Sequence, residues 1–140
     1  MIVTDKFAYS KKKELQLGKE PDSVLVILYG SKNGVRLFIS TEKEGDADIF
    51  LDINETNKFI ELLESALLRA LNEYRGFCGP VISPQSGDFD DVVNAILQVV
   101  FVDKTIGISV DVEDVQGVEL WPDLTDVGKL INALREVKGK

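Results

Sequence analysis

Val24-Leu25-Val26-Ile27-Leu28-Tyr29 runs into Gly30-Ser31-Lys32-Asn33-Gly34, and then into Val35-Arg36-Leu37-Phe38-Ile39-Ser40-Thr41. The first run is apolar and rich in β-branched residues, the pattern of a buried strand. The Asn-Gly pair tolerates positive φ and marks a hairpin turn. The return strand alternates, so Val35, Leu37 and Ile39 face a core while Arg36, Phe38 and Ser40 face away. An antiparallel hairpin is therefore the seed of the fold.

Working outward, Glu42 to Asp46 is a polar turn and Ile49-Phe50-Leu51 a third strand. A helix is predicted next, with Asn54 as N-cap and Glu55 in the first turn, where an acid suits the macrodipole. Phe59, Leu63, Ala66, Leu67, Ala70 and Leu71 form an apolar stripe at helical spacing. Ile60, Leu62 and Leu68 widen it, so this helix is expected to touch its own sheet and also another helix or subunit. Arg75-Gly76 has the pattern of a C-cap. Upstream, the extension from Phe7 to Lys19 offers a fourth strand around Glu14-Leu15-Gln16-Leu17.

The pattern then recurs. Gly76 to Gly87, with Gly79, Pro80 and Pro84, reads as a connector without a clear strand. Ala95 to Val102 is a strand candidate, with a short helix over Val92 to Val99 as the alternative. Asp103-Lys104-Thr105 is a turn. Ile106, Ile108, Val110 and Val112 alternate with Gly107, Ser109 and Asp111, and Val118 to Trp121 is a strand. A helix capped by Asp123 or Thr125 follows, with its stripe at Val127, Leu130, Ile131, Leu134 and Val137. A constant step of 71 residues relates the two halves: it takes Val35 to Ile106, Ile49 to Leu120 and Phe50 to Trp121. The same step takes Asp52-Ile53-Asn54-Glu55 to Asp123-Leu124-Thr125-Asp126, and Lys58, Ile60 and Leu63 to the identical Lys129, Ile131 and Leu134. The expected fold is α+β, a tandem repeat of an antiparallel β-meander followed by one helix. A first unit spans 1–75 and includes the basic N-terminal extension, a connector spans 76–91 and a second unit 92–140, together one compact domain.

Sixteen basic against twenty-four acidic residues give a net charge of −8. That is the wrong sign for a surface that grips phosphates throughout, so any nucleic-acid site must be a local patch. The single cysteine, Cys78, permits no disulfide within the chain, and a reducing, cytoplasmic setting is expected. Residues 1–23 contain no apolar signal-peptide core, and no apolar run is long enough to span a membrane. Histidine is absent, which removes histidine-dependent nucleophile chemistry and histidine metal sites. Neither a P-loop nor a dinucleotide glycine pattern occurs. Glu44, Asp46, Asp48 and Asp52 lack the order and central glycine of a calcium loop, and Cys78 reads as a small residue in a turn. The expectation is a non-enzymatic protein without cofactor or metal. Trp121 is expected beneath the second helix.

What remains is a basic and aromatic set in the first unit. Tyr9, Lys11, Lys12 and Lys13 lie in the extension, and Tyr29, Lys32, Arg36 and Phe38 lie on the hairpin. Ammonium and guanidinium groups neutralise phosphates and rings stack bases, which is what a single strand requires. The corresponding face of the second unit shows Gly107, Ser109 and Asp111, then Glu113 and Asp114. The expected function is single-stranded DNA or RNA binding through the first unit. The alternative is a protein-interaction or assembly module, a homodimer included, acting through helix 54–74.

Strands in a meander followed by one long helix, in two copies over roughly residues 13–137, resemble the Whirly, Pur and single-strand-binding transcriptional coactivator group. The closest local match is the start of each helix, Asp52 to Glu55 and Asp123 to Asp126. The resemblance implies two units packed together in a pseudo-two-fold arrangement, with sheets that bind single-stranded nucleic acid through basic and aromatic side chains. Where the coactivator group carries a Lys-Gly pair before the helix, this chain has Phe50 and Leu51.

Overall fold

The computed structural model describes residues 11–17, 23–31, 33–43, 45–86, 92–113 and 116–138. Four strands, β1 (Lys11–Gln16), β2 (Val24–Ser31), β3 (Gly34–Thr41) and β4 (Gly45–Asp52), precede helix α1 (Ile53–Ala70). Four more, β5 (Arg75–Ser86), β6 (Val92–Val102), β7 (Thr105–Val112) and β8 (Gln116–Leu120), precede α2 (Leu124–Val137). Each set forms an antiparallel sheet with strands in chain order. The chain is thus α+β, with two four-stranded sheets and two helices among the described residues. The step of 71 holds for the starts of β3 and β7, at Gly34 and Thr105, and of α1 and α2, at Ile53 and Leu124.

The segment read as a connector over 76–91 is largely strand: β5 covers Arg75 to Ser86. Its glycines and prolines do not exclude it because β5 is an edge strand, and its irregularity falls between Cys78 and Val81, where the register with β6 shifts around the cis Gly79–Pro80 bond. Val92–Val102 is strand throughout, so the short-helix alternative is excluded. The extension supplies β1 as a fourth strand.

Arg75-Gly76 is not a C-cap. Helix α1 ends at Ala70, and the Arg69 carbonyl accepts from the backbone N–H groups of Asn72 and Glu73, turning the chain early. Gly76 belongs to β5, and a Cβ there would lie 2.6 Å from the Phe101 ring. Nor is Asn54 the N-cap. Asp52 accepts from the Glu55 N–H at 2.8 Å, and the Glu55 carboxylate accepts from the Asp52 N–H at 2.9 Å, a reciprocal capping box. One step of 71 later, Asp123 caps α2 by accepting from Asp126 at 2.9 Å.

The helices are exchanged between the sheets. Helix α1 lies mainly on β5 and β6, the sheet that follows it, and also touches α2; α2 reaches back to β1 and β2 as well as to β7. Lys13 of β1 pairs with Glu136 of α2 at 2.9 Å, and Arg135 of α2 with Glu64 of α1 at 2.6 Å. One continuous apolar core results, running from Leu25, Ile27 and Leu37 through Phe59 and Leu63 to Leu97, Phe101 and Leu134. This placement accounts for the wide apolar stripe of α1, which meets a sheet on one side and a helix on another.

Candidate nucleic-acid interface

Strand alternation assigns each sheet residue to the core face or the outer face. On the first sheet, Lys12, Glu14 and Gln16 of β1 align with Leu28, Val26 and Val24 of β2, then with Arg36, Phe38 and Ser40 of β3 and Phe50, Asp48 and Asp46 of β4. This is the outer face. Lys11, Lys13 and Tyr29 alternate with it, on the side of buried Leu25 and Ile27.

Of the eight residues expected to form one patch, the six that are described are therefore divided between two faces. Lys12, Arg36 and Phe38 share the outer face. Lys11, Lys13 and Tyr29 belong to the opposite side, where Tyr29 packs against the core and Lys13 is tied to Glu136. Tyr9 and Lys32 lie outside the described residues. Arg36 donates from Nε to Asp48 Oδ1 at 2.6 Å and from Nη2 to Oδ2, a bidentate pair that commits its charge locally. Phe38 is only half-exposed, and Phe50 is buried.

The second sheet is different. On its outer face Arg75 aligns with Val102 and Thr105, and Phe77 with Val100 and Gly107. Ile82 aligns with Ile96 and Asp111, and Ser109 with Gln98 and Glu119. Phe77 is 61% exposed and Trp121 47%. Trp121 is not under α2. Its indole lies on Gly107, where a Cβ would sit 2.8 Å from the ring, so glycine leaves the space the ring occupies. Indole Nε1 donates to Glu119 Oε1 at 2.7 Å and holds the ring in place. Arg75 and Lys104 stand at this same end of the sheet, Lys104 in the β6–β7 turn; both are exposed, and neither is in an ion pair among the described residues. Asp103 in that turn offsets part of their charge.

No family model, curated protein or solved structure matches this chain.

Beside this face, Arg69 organises the end of α1. It donates from Nε and Nη2 to Glu73 at 2.7 and 3.1 Å and from Nη1 to the Phe77 carbonyl at 3.1 Å, with its guanidinium 5.1 Å from the centre of the Phe101 ring. The hydrogen-bonded guanidinium holds the Glu73 carboxyl below the usual carboxylate range. Buried Cys78 has its sulfur 3.6 Å from both Arg69 Nη1 and Ser65 Oγ, so Arg69 of the helix is its cationic neighbour.

On the helix side, an open groove of about 420 Å³ lies between α1 and α2, lined by Leu67, Leu68, Leu71 and Ile131 with Gly128, Asn132, Glu64 and Arg135. Leu68 and Leu71 are largely exposed. No helix among the described residues is long and apolar enough to cross a membrane.

Sequence reasoning missed Phe77 because β5 was read as a connector. It missed Trp121 because an apolar ring at a strand end is usually buried. The available signal was Gly107, a glycine inside an alternating strand, which marks a close approach by another group.

Proposed function

We propose that the chain is a non-enzymatic binder of single-stranded nucleic acid and that the contact surface is the outer face of the second sheet, not the first. The observation that carries this reading is the exposed pair Phe77 and Trp121 on one open face, beside Arg75 and Lys104, which have no ion pair among the described residues. Rings stack bases of any sequence, and cations neutralise the phosphates between them. Two four-stranded sheets, each followed by a helix and sharing one core, support the Whirly- and Pur-like pseudo-two-fold arrangement. The net charge of −8 opposes approach of a polyanion, so binding is expected to be weak and best seen at low salt.

The sole tryptophan makes the test direct. Oligothymidine added at low ionic strength is expected to quench Trp121 fluorescence. Removing the ring by Trp121→Ala is expected to weaken binding of a labelled oligonucleotide by about 1–3 kcal/mol, the range for one stacked base. Replacing Lys11 and Lys12 together by alanine is expected to change it little. Loss of binding in that double variant with none in Trp121→Ala would return the site to the first unit.

A second reading has its own observation. Leu68 and Leu71 leave an apolar groove open between the helices, which suits an assembly role for α1, including a homodimer. Light scattering tests it: a dimer that Leu68→Glu dissociates supports this reading, and a monomer across the accessible concentration range counts against it.

A further inference from the structure

Resting on the nucleic-acid reading above, we propose that the second sheet takes a short segment, about three nucleotides laid across the strands at its Arg75–Trp121 end, and that acids farther along the strands set this limit. The charges on this face are graded along the strand axis. Arg75 and Lys104 mark one end, and the row of Phe77, Val100 and Gly107, with Trp121 on the glycine, comes next. One same-face step farther, about 7 Å along the backbone, stands Glu119 opposite Ser109, its carboxylate turned back onto the Trp121 indole, and two steps, about 14 Å, stands Asp111 opposite Gly117. Glu113 follows Val112 at the far end of β7 and is exposed. Asp111 has no ion pair among the described residues. A phosphate chain running along the strands would leave the cations after one step and meet carboxylates.

The crossing direction carries no such barrier. From Phe77 on β5 to Gly107 on β7 are two strand spacings, about 10 Å. One base seated on Phe77, one on Trp121 and one lying between them over Val100 make about three nucleotides across that distance. Val100 alone lies between the rings, because the Trp121 indole covers Gly107, and its short side chain leaves room for a base to lie flat. Arg75 and Lys104, with Asp103 beside them, flank the row on the side away from Glu119, Asp111 and Glu113, where the phosphates of such a segment would lie. Two cations give a salt slope near −1.4, at about −0.7 per neutralised phosphate of a single strand.

The test titrates the full chain with oligothymidines of 2 to 24 nucleotides, reading Trp121 quenching and competition against a labelled strand at several salt concentrations. Affinity is expected to rise up to about three or four nucleotides and thereafter only with the number of available positions, and the salt slope is expected to stay constant beyond that length. A slope that keeps growing to 12 nucleotides or more overturns the short footprint while leaving the binding reading intact. Replacing Asp111 by Asn and Glu113 by Gln together is expected to tighten binding of 12-mers at least threefold and leave 3-mers unchanged; equal effects at both lengths overturn the role given to the acids. Failure of every oligonucleotide to bind removes the underlying reading as well and leaves the face to a protein partner.

Discussion

Single side chains decide how the two sheets are joined. β4 is an edge strand of the first sheet, and its Phe50 backbone is completed by a side chain of β5 rather than by another strand. Phe50 N–H donates to Gln85 Oε1 at 2.8 Å, and Gln85 Nε2 donates to the Phe50 carbonyl at 2.7 Å, with Ser83 Oγ donating to the same carbonyl at 3.0 Å. All of this is buried. Gln85→Ala leaves the Phe50 N–H without that partner, and an orphaned buried donor costs about 1–3 kcal/mol. A lower urea midpoint with an unchanged slope is the expected result. Arg69 and Glu73 yield a prediction in pH. The Glu73 carboxyl titrates lower when folded than when unfolded. The folded form therefore gains stability above the ordinary carboxylate range and loses it as the pH falls through the depressed value. Glu73→Gln lacks this contribution, so its thermal midpoint is expected to lie below that of the parent at neutral pH and to converge with it on acidification. Neither cluster was legible in the sequence. Phe50, the partner of Gln85 on β4, lies 35 residues away, and nothing local marks a glutamine as a strand substitute.

At the scale of elements, periodicity served well and boundaries served poorly. The alternation in 35–41 and 106–112 and the stripes of both helices correspond to β3, β7, α1 and α2. The missing element was β5, because a bulge with Gly79 and Pro80 interrupts its alternation midway. Without β5, one strand of the second sheet's outer face was invisible, and the candidate site was sought on the first unit's strands alone. The start of α1 was displaced by two residues because Asn54 and Asp52 are both good caps, and only the reciprocal bond with Glu55 separates them. Stability measurements can separate them too. Asp52→Ala is expected to cost about 1 kcal/mol, as N-cap losses typically do. Asn54→Ala, at an exposed position inside the helix, is expected to be neutral or slightly stabilising, since alanine is the better helix former. Asp123→Ala should match Asp52→Ala in sign. A larger cost for Asn54 than for Asp52, measured by chemical unfolding, would contradict the observed cap.

For the whole molecule, the exchange of helices carries the strongest consequence. A pattern that recurs at a step of 71 residues suggests two units that fold one after the other, and spacing alone does not reveal which helix covers which sheet. Here α1 covers β5 and β6, and α2 reaches β1 and β2, so neither half buries its apolar face by itself. The first sheet without α2 would expose part of the face that holds Leu25 and Ile27, and α1 without β5 and β6 would expose much of its own stripe. The two halves are therefore expected to unfold as one. Leu134 of α2 is fully buried, and Leu134→Ala is expected to cost about 2–5 kcal/mol, as buried leucine truncations do. That loss should appear equally in Trp121 fluorescence, which reports the second sheet, and in amide hydrogen exchange of β2 and β3, which reports the first. Coincident transitions by both probes satisfy the two-state test. If Leu134→Ala released the first sheet while Trp121 kept its native signal at the same denaturant concentration, the halves would be independent units, and the shared core would be a contact surface between them rather than the basis of the fold.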